Sequence, residues 1–409
     1  MKEFSMTWDS KDLIRGLRKS SRNPKNNFAF TELINLKVRK EFGLGPYESL
    51  TDPFTGLNFD FPFPQLFRGR SDVYLATASR LYSVNPAATP WTATEVLAYD
   101  TKGDIGDIRV GGHWQIADFF DSYIMVNGLS NVFKSKWQYY STGQDVLVAD
   151  NAITIQTCCG HRGRMIFGGF SESNFWSSAW QTFWAAQANT GKITFDFTQG
   201  LGSNFVLWSN IGEGLFWLFY PTLGQGALLE SAYATASAYG SSRPRILEMF
   251  ERNDLGFAAM PWLGTVYKVL PIGKNLAVYG TGGITILIPI TEPEPTYGMI
   301  EITNLSGIKS RGSVAGDEHN HLVVMDNDEL WTLGEDLSFV KLDYKEFIAE
   351  LNATEIVVSH DQLNKEFYIC DGEKTYLLTE VGLSRVRQLV TSVITYNGVS
   401  YGATRVLGL

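Results

Sequence analysis

The sequence predicts an all-β fold, a β-propeller of six or seven blades with an N-terminal arm and two partly helical insertions. Three observations predict it: a strand–turn–strand–turn–strand unit that recurs, hairpin residues at matching places in each unit, and a composition rich in glycine and poor in charge. The clearest unit is Gly312–Leu333, GSVAGDEHNHLVVMDNDELWTL, and Tyr267–Ile288 and Ile356–Leu378 repeat its design about 45 residues to either side. One such unit cannot bury both of its faces, so units of this kind stack around an axis. Leu276, Leu322 and Phe367 stand at the start of the second strand in each unit, 46 and 45 residues apart. The following turns are Gly280-Thr281-Gly282-Gly283, Asp326-Asn327-Asp328 and Asp371-Gly372. Gly, Asn and Asp tolerate the positive φ that short hairpins need.

Weaker copies lie upstream. Asp72–Val84 turns at Ser79, Tyr123–Val126 runs into Asn127-Gly128, Arg164–Gly168 follows a turn at Gly160–Gly163, and Asn204–Ser209 is a further strand. Tyr74, Tyr123, Met165 and Phe205 are 49, 42 and 40 residues apart, which brings the count to about seven units. Val323, Leu330 and Trp331 are expected in the core with Leu276, Leu322 and Phe367.

Ahead of the units, residues 1–65 read as an arm that clasps the body or reaches a neighbour. Met1–Trp8 is a candidate strand. Asp9 or Ser10 can cap a helix to about Lys19, with Leu13, Ile14 and Leu17 on its apolar face. Ile34, Leu36 and Val38 alternate with polar residues as in a half-buried strand. Residues 66–409 form the propeller, interrupted by insertions at about 171–191 and 221–262. In the first, Trp176, Trp180 and Trp184 recur every four residues behind Ser173, a helical spacing. Packing on the propeller edge is the simpler account of these tryptophans; an aromatic face for a partner subunit or glycan is the functional one. The second insertion, Pro221–Trp262, has helical segments around Leu228–Ala238 and Arg245–Glu251 and is longer than a blade turn requires.

Of 409 residues, 44% are hydrophobic, 19% charged and 13% aromatic, with 39 glycines and 14 prolines, as in a globular β-rich chain. The net charge of −9 speaks against a surface built to grip nucleic acid. Residues 1–40 carry ten Lys/Arg, among them Arg15, Arg18, Lys19 and Arg22, against four acids, so the arm is +6 and the remainder −15. A basic arm on an acidic body suits docking to an acidic neighbour. Cys158, Cys159 and Cys370 form neither a disulfide framework nor a metal half-site and read as small buried hydrophobes. No signal peptide opens the chain, and the uncharged run Asn275–Ile290 has glycines at its centre and reads as a hairpin, not a membrane span. A soluble protein made in a cytoplasm is expected.

The chemistry-bearing candidates are few. In Asp317-Glu318-His319-Asn320-His321 the two histidines would share a strand face, as a zinc site requires, but a polar turn is the simpler reading. His113, His161 and His360 are the remaining histidines, none in a nucleophile setting. Gly280-x-Gly282-Gly283 leads into a strand and not into a helix N-terminus, so it is a turn and not a phosphate loop. Met325–Trp331 has the look of an Asp-box but lacks its serine and glycine. No catalytic residue, metal or cofactor is assigned.

Across its length the chain resembles the β-propeller nozzle or hub proteins of short-tailed bacteriophages. The likeness rests on ELINLKVRKEFGLGPYESLTDPF (Glu32–Phe54), FVLWSNIGEG (Phe205–Gly214), LGFAAMPWLGTVYKVLPIGKNLAVYGTGGITILIP (Leu255–Pro289) and GIKSRGSVAGDEHNHLVVMDNDELWTL (Gly307–Leu333). The resemblance implies a homohexameric tube in the virion tail, below the adaptor or head-to-tail connector. Such a tube conducts DNA without binding it specifically and carries tail fibres or tailspikes. The arm residues Arg15, Arg18, Lys19 and Arg22 and the stripe Trp176, Trp180 and Trp184 are the candidate interface. A carbohydrate-binding or glycan-cleaving propeller is the alternative, and a monomeric protein-recruiting scaffold a third.

Overall fold

The computed structural model describes residues 34–39, 43–54, 64–69, 72–77, 80–98, 113–119, 122–128, 133–134, 138–139, 155–170, 203–209, 211, 256–291, 296–352 and 356–406. Over these residues the protein is all-β, with a single helical turn, α1 (Lys345–Ile348). Sheet I comprises β3 (Gln65–Arg68), β4 (Val73–Ala76), β5 (Arg80–Asn85) and β6 (Thr92–Ala98). Sheet II comprises β7 (Gln115–Phe119), β8 (Ser122–Val126), β9 (Phe133–Lys134) and β10 (Gln138–Tyr139). Sheet III follows with β11 (Ile155–His161), β12 (Arg164–Phe170), β13 (Phe205–Trp208) and β14 (Gly256–Ala259). Sheet IV has β15 (Val266–Ile272), β16 (Asn275–Gly280), β17 (Ile284–Ile290) and β18 (Thr296–Thr303). Sheet V has β19 (Val314–Gly316), β20 (Asn320–Val324), β21 (Leu330–Gly334) and β22 (Phe339–Leu342). Sheet VI has β23 (Val357–Asp361), β24 (Glu366–Cys370), β25 (Thr375–Leu378) and β26 (Leu383–Val386). Two hairpins complete the list: β1 (Leu36–Arg39) with β2 (Gly43–Pro46), and β27 (Gln388–Tyr396) with β28 (Val399–Val406).

Every sheet is an antiparallel meander whose spatial order is its chain order, and the sheets follow one another in a propeller arrangement. Five of them, I and III to VI, are fully developed four-stranded blades; in sheet II the two outer strands are only two residues each. Neighbouring sheets meet through their first strands: β7 on β11, β11 on β15, β19 on β23, β23 on β27 and β27 on β3.

An apolar core fills the gap between adjacent sheets. Tyr279, Ile284 and Ile286 of sheet IV pack on Val314, Val323 and Leu333 of sheet V. Leu322 and Leu330 of sheet V pack on Val358, Phe367 and Ile369 of sheet VI, with Phe347 and Ile348 of α1 closing that layer. Each such side chain removed from water contributes about 1.5–3 kcal/mol, which makes stacking the dominant stabilising term. Turn chemistry sets the register. Asn397-Gly398, both at positive φ (49° and 76°), joins β27 to β28 across a two-residue loop with Tyr396 opposite Val399. That pair is the strongest short hairpin signal, because its twist matches the strands.

Residues 34–39 and 43–54 run along the blade edges. Ile34 bridges Arg385 beside β26, and Thr51 bridges Tyr401 of β28 in parallel. Tyr47 donates its hydroxyl proton to Gln388 (2.7 Å), whose side-chain amide also exchanges two hydrogen bonds with the Leu50 backbone. Leu50 and Phe54 are buried, and Phe54 meets Trp91 edge to face.

Several expectations need correcting. Trp331 is only half-buried: within β21 the core-facing positions are Leu330 and Leu333. Its indole stacks on Phe339 of the outer strand at 4.5 Å and donates to the Glu329 carboxylate. The interval 221–262 is not all insertion, since Gly256–Ala259 is the outer strand of sheet III and Trp262 is a core residue. Leu36 is exposed where a half-buried position was expected. The candidate strand Met1–Trp8, the helix to Lys19 and the helical segments 173–186, 228–238 and 245–251 lie outside the described residues.

Candidate functional site: the axial cavity

First strands of five sheets, together with β27, enclose a cavity of about 450 Å³. Its wall is drawn from β3, His113–Ile116, β15, β19, β23 and β27. A belt of polar contacts holds this wall together. The Gln65 side chain accepts the Trp114 backbone N–H (2.7 Å) and meets the His113 ring (2.7 Å), tying sheet I to II. The Thr157 hydroxyl donates to Gln115 Oε1 (2.6 Å) and accepts the Val269 N–H (2.8 Å), tying II to III and III to IV. His321 ties IV to V, meeting the Tyr279 hydroxyl (2.7 Å) and the Pro271 carbonyl (2.9 Å). Ser310 donates to the Ile356 carbonyl (2.8 Å), and Ser359 to the Thr391 carbonyl (2.9 Å). Finally, Ser392 Oγ accepts from Leu66 N and donates to Leu66 O, joining β27 to sheet I. These short polar side chains satisfy backbone groups that the axis would otherwise leave bare.

Lys268, His113 and Arg68 line this cavity, and Arg311 adjoins Lys268 and His113 without lining it. Lys268 lies on β15, His113 just before β7 and Arg311 just before β19. Arg311 reaches across to sheet II, donating to the His113 carbonyl (3.0 Å) and to the Asn127 carbonyl. Gly128 makes room for it: a Cβ there would lie 2.2 Å from Nη1, and its φ of +76° suits glycine. Burial, with a smaller push from the Arg311 charge, lowers the Lys268 amine to about 8. Burial likewise lowers Arg311 to about 10 and holds His113 well below the usual imidazole range, aided by Lys268 and Arg311. Among the described residues no carboxylate lines this cavity. Lys268 is half-buried and, among the described residues, makes no hydrogen bond or ion pair. Nearer the β23 end, His360 stacks on Phe367 at 4.4 Å, and its Nδ1 is buried without a hydrogen-bond partner. The Asp317 carboxylate is 3.9 Å away, beyond hydrogen-bonding reach.

The acidic cluster of the sequence borders a second cavity of about 400 Å³, which shares Leu270, Gly316 and Gln362 with the first. It is a polar turn. Asp317 Oδ1 accepts the backbone N–H groups of His319 and Asn320, and exposed His319 pairs with Glu335 at 2.7 Å. His321 is instead buried, and burial lowers its pKa to about 4. The two histidines therefore do not share an environment, and among the described residues no group of three metal-ligating side chains forms. His161 is also away from the axis, meeting Tyr297 (3.0 Å) and the Lys274 carbonyl. Cys158, Cys159 and Cys370 are free and buried, and desolvation raises all three thiols. The Gly280–Gly283 segment is the β16–β17 hairpin, packed under Trp262. Arg15, Arg18, Lys19, Arg22, Trp176, Trp180 and Trp184 lie outside the described residues. No helix among the described residues is long and apolar enough to cross a membrane.

The sequence reading missed the axial basic cluster. One local signal existed: Lys268 is a lone charge inside the apolar strand Tyr267–Ile272, at a position that faces inward once strands close around an axis.

No family description matches the chain, and no curated protein matches it. Similar solved structures include the extracellular domain assigned to a one component system of B. thetaiotaomicron, at 12% identity and a TM-score of 0.46, over 94% of this chain and 46% of that one. PorZ, a surface component of the type-IX secretion system of Porphyromonas gingivalis, is 10% identical with a TM-score of 0.41, over 83% of this chain and 35% of PorZ. The computationally designed protein Ika8 is 8% identical with a TM-score of 0.41, over 83% and 92%. The chain thus spans less than half of each of the two natural proteins, and none of the three is a bacteriophage protein.

Proposed function

We propose that this chain is a structural subunit of a short-tailed bacteriophage tail, the nozzle or hub ring below the adaptor, acting without catalysis or cofactor. The observation that carries the reading is the course of residues 34–39 and 43–54. This segment belongs to the Glu32–Phe54 stretch that resembles tail proteins, and its described start, Ile34, lies against the outer strand β26. In this reading the basic stretch that precedes Ile34 in the sequence docks on a neighbouring acidic body. Virion location, homohexameric assembly and contacts with adaptor and fibres follow from the same reading.

The blade count of this proposal is seven. Sheets I to VI supply six, and β27–β28 the seventh, with Thr51 bridged to its edge at Tyr401. Contacts of β27 with both β23 and β3 support that count. An axial cavity of about 450 Å³ cannot pass a duplex, whose major groove alone is about 12 Å wide. The DNA conduit of this proposal runs between copies, lined by acidic surface that repels phosphate.

Electron micrographs and native mass measurement of the purified protein should show rings of about six chains. Deleting Met1–Asn27 should leave a folded propeller that assembles poorly, and salt should weaken the wild-type ring through screening. A chain that stays monomeric at every concentration, together with particles that deliver DNA normally without it, would sink the reading. A second reading, a glycan-binding propeller, draws support from the polar axial wall. Retention on immobilised glycans by a monomer would favour it.

A further inference from the structure

We infer that the axial cavity binds a small phosphomonoester, with the phosphate held at Lys268, the neighbouring Arg311 charge reinforcing it from behind the wall, and a hydroxylated body directed toward Gln362 and His360. The inference is independent of the tail reading. Lys268 and Arg68 line a wall that contains no carboxylate among the described residues, and Arg311 stands next to Lys268. Buried charge is costly unless paired, and removal of its natural partner leaves the full desolvation penalty. Arg311 meets part of that cost with two carbonyl oxygens. Lys268 has no such partner among the described residues, so its ammonium is available to a ligand in the cavity. A dianion suits a site whose nearest charges are all positive, and lysine suits phosphate as a mobile point charge.

The remainder of the cavity indicates more than a bare ion. Its volume of about 450 Å³ lies within the range of small-molecule sites and exceeds what one phosphate fills. Most wall hydroxyls are consumed by the belt between blades, as with Thr157, Ser359, Thr391 and Ser392. Two polar groups toward the β23 end are not. His360 Nδ1 is buried and unsatisfied, and Gln362, bordering both cavities, makes no side-chain hydrogen bond among the described residues. A hydroxylated body would satisfy His360 and replace water on exposed Gln362.

The test uses the full chain with two probes, inorganic phosphate and glucose 6-phosphate, read by thermal shift and calorimetry. Both should raise the Tm of the wild type, the sugar phosphate at lower concentration. Lys268→Met keeps the aliphatic stem and should weaken binding by roughly tenfold or more, whereas Lys268→Arg should retain most of it. Deleting Met1–Asn27 should leave the affinity unchanged, which separates the cavity from anion capture by the basic arm. If Lys268→Met does not fold, acetylation of Lys268 in the wild type, followed by peptide mass, gives the same answer: the probes should protect it. Absence of any Tm shift, equal affinity in Lys268→Met, or unprotected Lys268 would each overturn the inference.

Discussion

Sheets IV to VI and sheet III follow one plan, yet only the former announce themselves as repeats. In sheets IV to VI each hairpin closes over a few residues, as at Gly280–Gly283, Asp326–Asp328 and Asp371–Gly372, and successive units stay in phase. Sheet III has the same antiparallel ladder, but 34 residues separate Phe170 from Phe205 and 47 separate Trp208 from Gly256. Its strands are no less buried: Phe167, Val206 and Leu207 are in the core, as are Ile286 and Leu322. The difference lies in connection length, which costs little thermodynamically because loop-closure entropy grows only logarithmically. Blade geometry and sequence periodicity are therefore separable properties of this molecule.

The largest effect is expected in the sharply repeated half. Tyr279→Ala should cost about 3–5 kcal/mol, since the ring is fully buried between sheets IV and V and its loss also strands His321. Trp331→Ala, nearby but half-buried, should cost roughly 1–2 kcal/mol in the same denaturation experiment. Equal costs would mean that the outer strand, not the layer between sheets, carries the stability.

Acid provides an intermediate test. His321 is neutral in the fold, with its pKa lowered to about 4, while the unfolded chain protonates it near 6.5. Between those values the unfolded state binds the extra proton, so stability falls as pH drops from about 6.5 to 4, by up to about 3 kcal/mol. Above pH 6.5 this group contributes no slope. His321→Gln should flatten that part of the profile, at a uniform cost from the altered bonds to Tyr279 and Pro271. An unchanged acid slope would show that other groups govern it.

The smallest effect belongs to sheet III. Replacing residues 212–254 with a short turn should preserve the pairing of Trp208 with Gly256 and change stability by no more than about 1 kcal/mol. Gly256 must remain glycine, because a Cβ would lie 2.7 Å from the Trp208 ring. Collapse of sheet III in that variant would make the long connection part of the blade and break the comparison.

The sequence made the second strands and their turns legible because alternation, β-branching and Gly/Asn/Asp turns are local properties. Leu276, Leu322 and Phe367 are buried as the pattern requires. Trp331 misled because it shares a face with buried Leu333 and packs on the same layer, but its indole lies over Phe339 of the outer strand, where that layer ends. The interval 221–262 misled at its end because Gly256–Ala259 is short and has no partner in its own neighbourhood; β13 lies far upstream. The axial basic cluster was out of reach for a related reason. His113, Lys268 and Arg311 come together only when three sheets are arranged around one axis, and no spacing along the chain encodes that meeting.

The belt around the axis also dictates an order of events during synthesis. Ser392 and Thr391 on β27 bind Leu66 and Pro64, partners more than 320 positions earlier, and Gln388 grips Tyr47 and Leu50 across about 340. Sheet I thus leaves the ribosome long before its flank can be covered, and the interface of Phe54, Leu66 and Leu75 waits for Ile394 and Ala403. Contacts of such separation form slowly, because the entropy of closing the loop precedes any reward. Until then the nascent chain is an open, sticky crescent, and residues 388–406 act as the latch that ends its exposure to aggregation and chaperones.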